Sequence, residues 1–74
     1  MPETLDATGL RCPLPVLRAR KAIRAVEPGG ALVVLATDPA AVEDFRAFCA
    51  ETGHGFIDVS QDGAVFRITV RKAG

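Results

Sequence analysis

The 74-residue chain is long enough for one domain, residues 1–74, with a modest core. Its nine basic and nine acidic residues cancel, so no net field draws it to nucleic acid or to a membrane surface. Its aromatic residues are four phenylalanines, with neither Trp nor Tyr, which leaves little to stack on exposed bases.

The chain starts Met1-Pro2-Glu3-Thr4, without the basic, apolar and small-residue order of a signal peptide. The longest apolar stretch, Ala31 to Ala36, suits a strand and is too short to span a bilayer. The expected compartment is the cytoplasm, with no membrane insertion, and a reducing compartment argues against pairing Cys12 with Cys49.

Thr4 to Ala7 reads as a short strand with Leu5 and Ala7 on one face, followed by the loop Thr8-Gly9-Leu10-Arg11. Cys12-Pro13-Leu14-Pro15 then opens a helix. Proline suits the first helical position, where its missing N–H would have gone unpaired, and Pro15 still lies in the first turn. The helix is expected from about Cys12 or Pro13 to Val26, with Glu27-Pro28-Gly29-Gly30 as its stop. Val16, Ala19, Ala22, Ile23 and Val26 gather on one side as the core face. Leu14, Leu17, Arg18, Arg20, Lys21 and Arg24 form a basic, partly apolar face that begins behind Cys12. That face is either a solvated surface or a docking patch for an acidic partner.

Ala31 to Thr37 reads as a central strand, buried on one face and partly covered on the other. Asp38-Pro39 opens a second helix, with Asp38 as N-cap and Pro39 in first position, and Gly53 closes it after Thr52. On it Val42, Phe45 and Cys49 share a face, which assigns Cys49 to the core. Phe56 to Gln61 and Ala64 to Arg71 read as strands joined by an Asp62-Gly63 turn. The order is βαβαββ. It implies an α+β two-layer sandwich with two helices on one face of a four-stranded mixed sheet. A right-handed crossover makes the first two strands parallel, so both helix starts, at Cys12 and Asp38, meet at one sheet edge.

Cys12 is the candidate reactive group. A thiol at a helix N-terminus gains thiolate character, and Arg11 beside it adds positive charge, so its pKa is expected below the ordinary thiol value. No second cysteine lies near enough for a Cys-x-x-Cys redox pair. There is no His-Asp constellation for hydrolysis, and two cysteines with one distant histidine do not form a zinc site. His54, after the Gly53 cap, reads as a loop or capping residue. Asp38 reads first as a helix cap, placed where it could also shape the surroundings of the thiol.

Leu5-Asp6, the run Gly9-Leu10-Arg11-Cys12-Pro13-Leu14-Pro15, Thr37-Asp38-Pro39, Phe48-Cys49 and Gly53-His54 together resemble the TusA/SirA family of small sulfur carriers, from about Leu5 to Lys72. The resemblance implies a βαβαββ fold and a cytoplasmic bacterial or archaeal sulfurtransferase that carries a persulfide on Cys12, with no metal or dissociable cofactor. For that role the residue pattern offers support from Gly9, Arg11, Pro13, Pro15 and Asp38, and the wheel of the first helix offers a partner surface of Leu14, Leu17, Arg20, Lys21 and Arg24. The implied donor is a cysteine desulfurase or a rhodanese-like protein. The implied acceptor is a sulfur-relay protein serving tRNA thiolation, molybdenum-cofactor maturation or sulfur oxidation, without direct contact to nucleic acid. Leu14 departs from the acidic residue that a tRNA-thiolation member carries there. The alternatives are a non-catalytic RNA-binding or regulatory module using the basic helix face, and a thiol–disulfide redox protein.

Overall fold

The computed structural model describes residues 3–74. Strand β1 (Glu3–Ala7) leads to helix α1 (Leu14–Ala22), strand β2 (Ala31–Ala36), helix α2 (Ala41–Thr52), and strands β3 (Gly55–Asp62) and β4 (Val65–Arg71). The sheet order is β1-β2-β4-β3. β1 and β2 run parallel, from Glu3 opposite Leu32 to Ala7 opposite Ala36. β4 is antiparallel to both its neighbours. The expected α+β architecture is the one observed.

The side-chain alternation of the strands explains the two layers. Leu32, Val34 and Ala36 of β2 and Ile68 and Val70 of β4 point to one face and form one buried cluster with α1 and α2. Phe45, Leu32, Ile68, Val34, Val70 and Pro15 are the largest fully enclosed side chains among the described residues. On the opposite face Val33 of β2 is also only 3% exposed, because strands flank it on both sides and their side chains cover it.

Several strand ends shift by one residue and α1 starts at Leu14 rather than at Cys12 or Pro13; three further boundaries differ for reasons of turn geometry. α1 does not run to Val26: after Ala22 it tightens into a single 3₁₀ turn, Ile23–Ala25, and Val26 is extended at φ −84°, ψ 140°. Pro28 disfavours helix at Glu27, so the helix stops short of it, and the extended backbone still carries the Val26 side chain into the core. α2 begins at Ala41 rather than at Pro39. Ala40, not Asp38, is its N-cap and no side chain caps it; Asp38 instead makes a tight turn before the helix, with Oδ1 accepting from the Ala40 N–H at 2.8 Å and its carbonyl from the Ala41 N–H at 3.0 Å. The hairpin pairs Asp62 with Val65, so the turn is Gly63-Ala64 and not Asp62-Gly63. Gly63, at φ 59°, fills the first central position, where a positive φ suits the strand twist. The expected C-cap holds: Gly53 is left-handed at φ 82° and donates to Cys49 O. Among the described residues, no helix is long and apolar enough to cross a membrane.

Candidate functional site

Because β1 and β2 are parallel, the loops that leave them emerge at the same edge and are hydrogen-bonded to one another. Asp6 turns the chain out of β1: its Oδ1 accepts from the Thr8 N–H at 3.0 Å and the Thr8 hydroxyl at 2.6 Å. Those two bonds hold the Asp6 carboxyl below its ordinary value. Gly9 follows at φ 79°, a conformation that side-chain-bearing residues adopt at a cost, and its N–H donates to Thr37 Oγ1 at 2.9 Å. Three residues on, the Cys12 N–H donates to Asp38 Oδ2 at 2.7 Å. The Cys12–Pro13 peptide is cis. Pro13 is the N-cap of α1, Pro15 lies inside its first turn, and Pro15 is buried. The thiol-bearing loop is thus held by the end of β2 on one side and by a buried proline on the other.

Both cysteines are reduced, and they sit in different surroundings. Cys12 is exposed; Cys49 is buried on the core face of α2, 5% exposed, and burial pushes its thiol pKa up. The Asp38 carboxyl is held below its ordinary value by the N–H groups of Ala40 and Cys12, and further by the charge of Arg11.

The expected activation of Cys12 by the helix start is overturned. Its pKa lies above the ordinary thiol value. The foremost cause is the nearby Asp44 carboxylate, followed by desolvation and the negative charge of Asp38. Cys12 precedes both the N-cap and the first residue of α1, and Pro13 and Pro15 supply no N–H at that end. A helix terminus contributes only about 0.3–1 kcal/mol to an exposed charge, so two nearby carboxylates outweigh it. Arg11 acts on Asp38 rather than on the sulfur. Asp44 is the residue that the sequence reading missed. It lies beside the buried Phe45 and one turn before the buried Phe48 on α2. A carboxylate at the border of an apolar stripe is the signal that would have found it.

The basic face of α1 is partly as expected. Leu14 is 44% and Leu17 52% exposed, and Arg18, Lys21 and Arg24 are exposed beside them. Arg20 is engaged within the fold: its guanidinium lies 5.0 Å from the Phe48 ring centroid and 3.5 Å from Glu51. It borders a cleft of about 190 Å³ between α1 and α2, which is also lined by Pro13, Val16, Asp44, Phe48 and Glu51. His54 stands past the far end of α2, a helix of 12 residues. That span is about 18 Å and rules out a base role toward Cys12. Its Nδ1 accepts from the Ala73 N–H at 2.9 Å, and its ring packs on Phe48. No group of three or more His, Cys, Asp or Glu among the described residues could hold a metal ion.

Residues 3–72 match the family profile described as "Sulfurtransferase TusA". A Neisseria meningitidis protein named "Putative sulfur carrier protein" is 54% identical over 69 residues, 93% of either chain. The "Sulfur carrier protein TusA" of Allochromatium vinosum is 44% identical over 71 residues, 96% of this chain and 93% of the relative. The crystal structure of a SirA-like protein from Desulfitobacterium hafniense superposes with a TM-score of 0.81 at 29% identity, covering 96% of this chain and 97% of the other.

Proposed function

Because the chain belongs to the TusA family of sulfurtransferases, we propose that it carries sulfur as a persulfide on Cys12 and relays it between two partner proteins. The observation that carries this reading is the contrast between the cysteines. Cys12 is exposed on a loop pinned by Thr37 and Asp38, while Cys49 is enclosed in the core.

In loading, Cys12 Sγ attacks the terminal sulfur of a donor persulfide after losing its proton. A new S–S bond forms at Sγ, the donor S–S bond breaks, and the donor departs as a thiolate. In delivery, an acceptor thiolate attacks the same terminal sulfur and Cys12 departs as the thiolate. The transferred sulfur keeps its oxidation state, so no electron carrier or metal takes part. The donor is a cysteine desulfurase or rhodanese-like protein, and the acceptor a sulfur-relay protein. Gly9, Pro13, Pro15 and Asp38 place the sulfur, and Arg11 acts through Asp38. Leu14 and Leu17 offer apolar contact beside it, and Lys21 and Arg24 orient an acidic partner.

Intact-mass measurement after incubation with a cysteine desulfurase and cysteine tests the reading. The expected result is a gain of one sulfur atom that a reductant removes, and no gain in Cys12→Ala. An unchanged mass in the parent protein overturns it. An RNA-binding or regulatory module would acquire no sulfur in this assay.

A further inference from the structure

On the far side of Arg20 from Pro13, a second cleft of about 290 Å³ lies between the end of α1, the end of α2 and the residue that follows β4. It shares Arg20 and Phe48 with the cleft already described. Arg24, His54 and Lys72 complete its cationic and imidazole lining, Ile23 and the buried Phe48 supply its apolar wall, and no Asp or Glu lines it. Three of these side chains bring hydrogen-bond donors that the fold leaves unused. Lys72 Nζ donates to the carbonyls of Val26 at 2.8 Å and Arg24 at 3.3 Å, which fixes the ammonium and leaves its third N–H over. His54 Nδ1 accepts from the Ala73 N–H at 2.9 Å, so the proton of the neutral ring is on Nε2, which has no acceptor among the described residues. The Arg24 guanidinium has neither an ion pair nor a hydrogen bond among the described residues, where the ion pairs are Arg20 with Glu51 and Arg46 with Glu43.

We propose that this cleft binds a small organic phosphate, with Arg24, Lys72 and His54 donating to the phosphate oxygens and the organic part against Ile23 and Phe48. Charge selects the phosphate. Glu51 matches Arg20, which leaves Arg24 and Lys72 as the uncompensated cations of the lining, and a phosphate monoester carries about −1.5 to −2 at pH 7. Geometry points the same way. The donors come from three separate segments, the 3₁₀ turn after α1, the loop between α2 and β3, and the residue after β4. Such a spread suits the three free oxygens of a tetrahedral group better than the two in-plane oxygens of a carboxylate. Size limits the organic part, because sites for drug-sized ligands begin at about 300 Å³. Lys72 is held by two carbonyls, and the His54 ring by Ala73 and by Phe48, whose centroid is 5.5 Å away. Little side-chain freedom is therefore lost when the ligand arrives. A cation at a helix C-terminus offsets the helix dipole, which accounts for Lys72 on the carbonyls at the end of α1. It does not account for a free guanidinium and a free imidazole N–H lining the same cleft. The site is independent of the persulfide reading.

The test is an NMR titration of the full chain at about pH 7.5, where the phosphate monoester is a dianion, at constant ionic strength. It follows the side-chain nitrogens of Arg24 and His54 and the amides of Lys72 and Ala73. Phenyl phosphate is expected to displace these signals saturably and to bind more tightly than inorganic phosphate, benzoate or phenol. Arg24→Gln is expected to weaken it about tenfold, the worth of one charge-assisted hydrogen bond. Arg67 lies between Phe66 and Ile68 of β4, which face the helices, so its exposed side chain is on the opposite side of the sheet. Arg67→Gln removes the same charge there and is expected to change the affinity by less than about twofold. Absence of saturable displacement by phenyl phosphate overturns the proposal. Equal weakening in Arg67→Gln overturns it by reducing binding to net charge. Equal affinity for benzoate overturns the choice of phosphate, and equal affinity for inorganic phosphate overturns the organic part. Should Arg24→Gln fail to fold, the ligand series on the parent protein decides.

Discussion

Replacing Cys49 by Ser separates the two cysteines most cleanly, because the size of its effect follows from the structure. The Cys49 side chain lies in the cluster with Phe45 and Phe48 and is 5% exposed, so a hydroxyl placed there leaves water. Burying an unpaired hydroxyl costs about 1–3 kcal/mol. A serine inside a helix can recover part of that by donating to the carbonyl four residues back. One turn on, Thr52 Oγ1 does so to Phe48 O at 2.7 Å. The expected cost is therefore in the lower half of the range, about 1–2 kcal/mol. For a chain of 74 residues that lowers Tm by about 4–16 °C. A domain of this length holds about 4–11 kcal/mol in total, so the variant stays folded at room temperature and its sulfur loading can be read. Cys12→Ser, on an exposed loop, is expected to melt with the parent and to load no sulfur. The paired assay is calorimetry plus intact mass after desulfurase treatment. A Cys49→Ser protein that melts like the parent refutes the burial argument. Loading on Cys12→Ser together with none on Cys49→Ser reverses the assigned roles.

Gly53→Ala should lower stability by about 1–2 kcal/mol from backbone strain alone, since φ is 82° and an added Cβ meets nothing within 4 Å; chemical denaturation checks it. Reversing Lys21 and Arg24 to Glu should slow transfer from a donor protein most at low salt, because exposed charges are screened within about 10 Å at 0.1 M. Leu17→Ala should slow it at every salt concentration, and loading from a small-molecule persulfide should be unchanged in both; rates over a salt series distinguish them. On the alkaline side, both thiols ionise later in the folded than in the unfolded chain. Their stabilising contribution is complete below the ordinary thiol pKa of about 8.5 and is lost as pH rises through the folded values, so Tm should fall above that pH. Cys49→Ala should flatten part of that fall, as a melting series from pH 7 upward would record.

The parts of the fold readable from sequence are those governed by local periodicity. The buried stripe Val16, Ala19, Ile23 and Val26, the Gly53 cap and the alternation of β4 depend on residues a few positions apart. The meeting of the Cys12 and Asp38 loops was also readable, because a parallel crossover forces it. What escaped was tertiary. Asp44, foremost among the groups that raise the Cys12 pKa, lies 32 positions away in the sequence and comes near it only through the packing of α1 and α2. Arg20, though still exposed, is tied to the neighbouring helix for the same reason: Phe48 and Glu51 belong to α2. The boundary shifts at Val26, Pro39 and Gly63 are of a different kind. They reflect turn geometry on which the residue types allow more than one register.

The two hydrogen bonds that reach the Cys12 loop from Thr37 and Asp38 have a mechanical consequence. Both acceptors follow directly on β2, one of the two strands paired on both sides. The reactive sulfur is therefore tethered to a central beam instead of riding on the short helix that follows it. A partner that tugs on this loop works against the whole sheet, and the load passes through the same Asp38 carboxylate that holds the turn before α2. Although the loop is open to solvent, the Cys12 amide is expected to exchange its hydrogen slowly, in step with the amides of Gly9 and Ala40. Releasing that one carboxylate would slacken the loop and the turn that leads into α2 together.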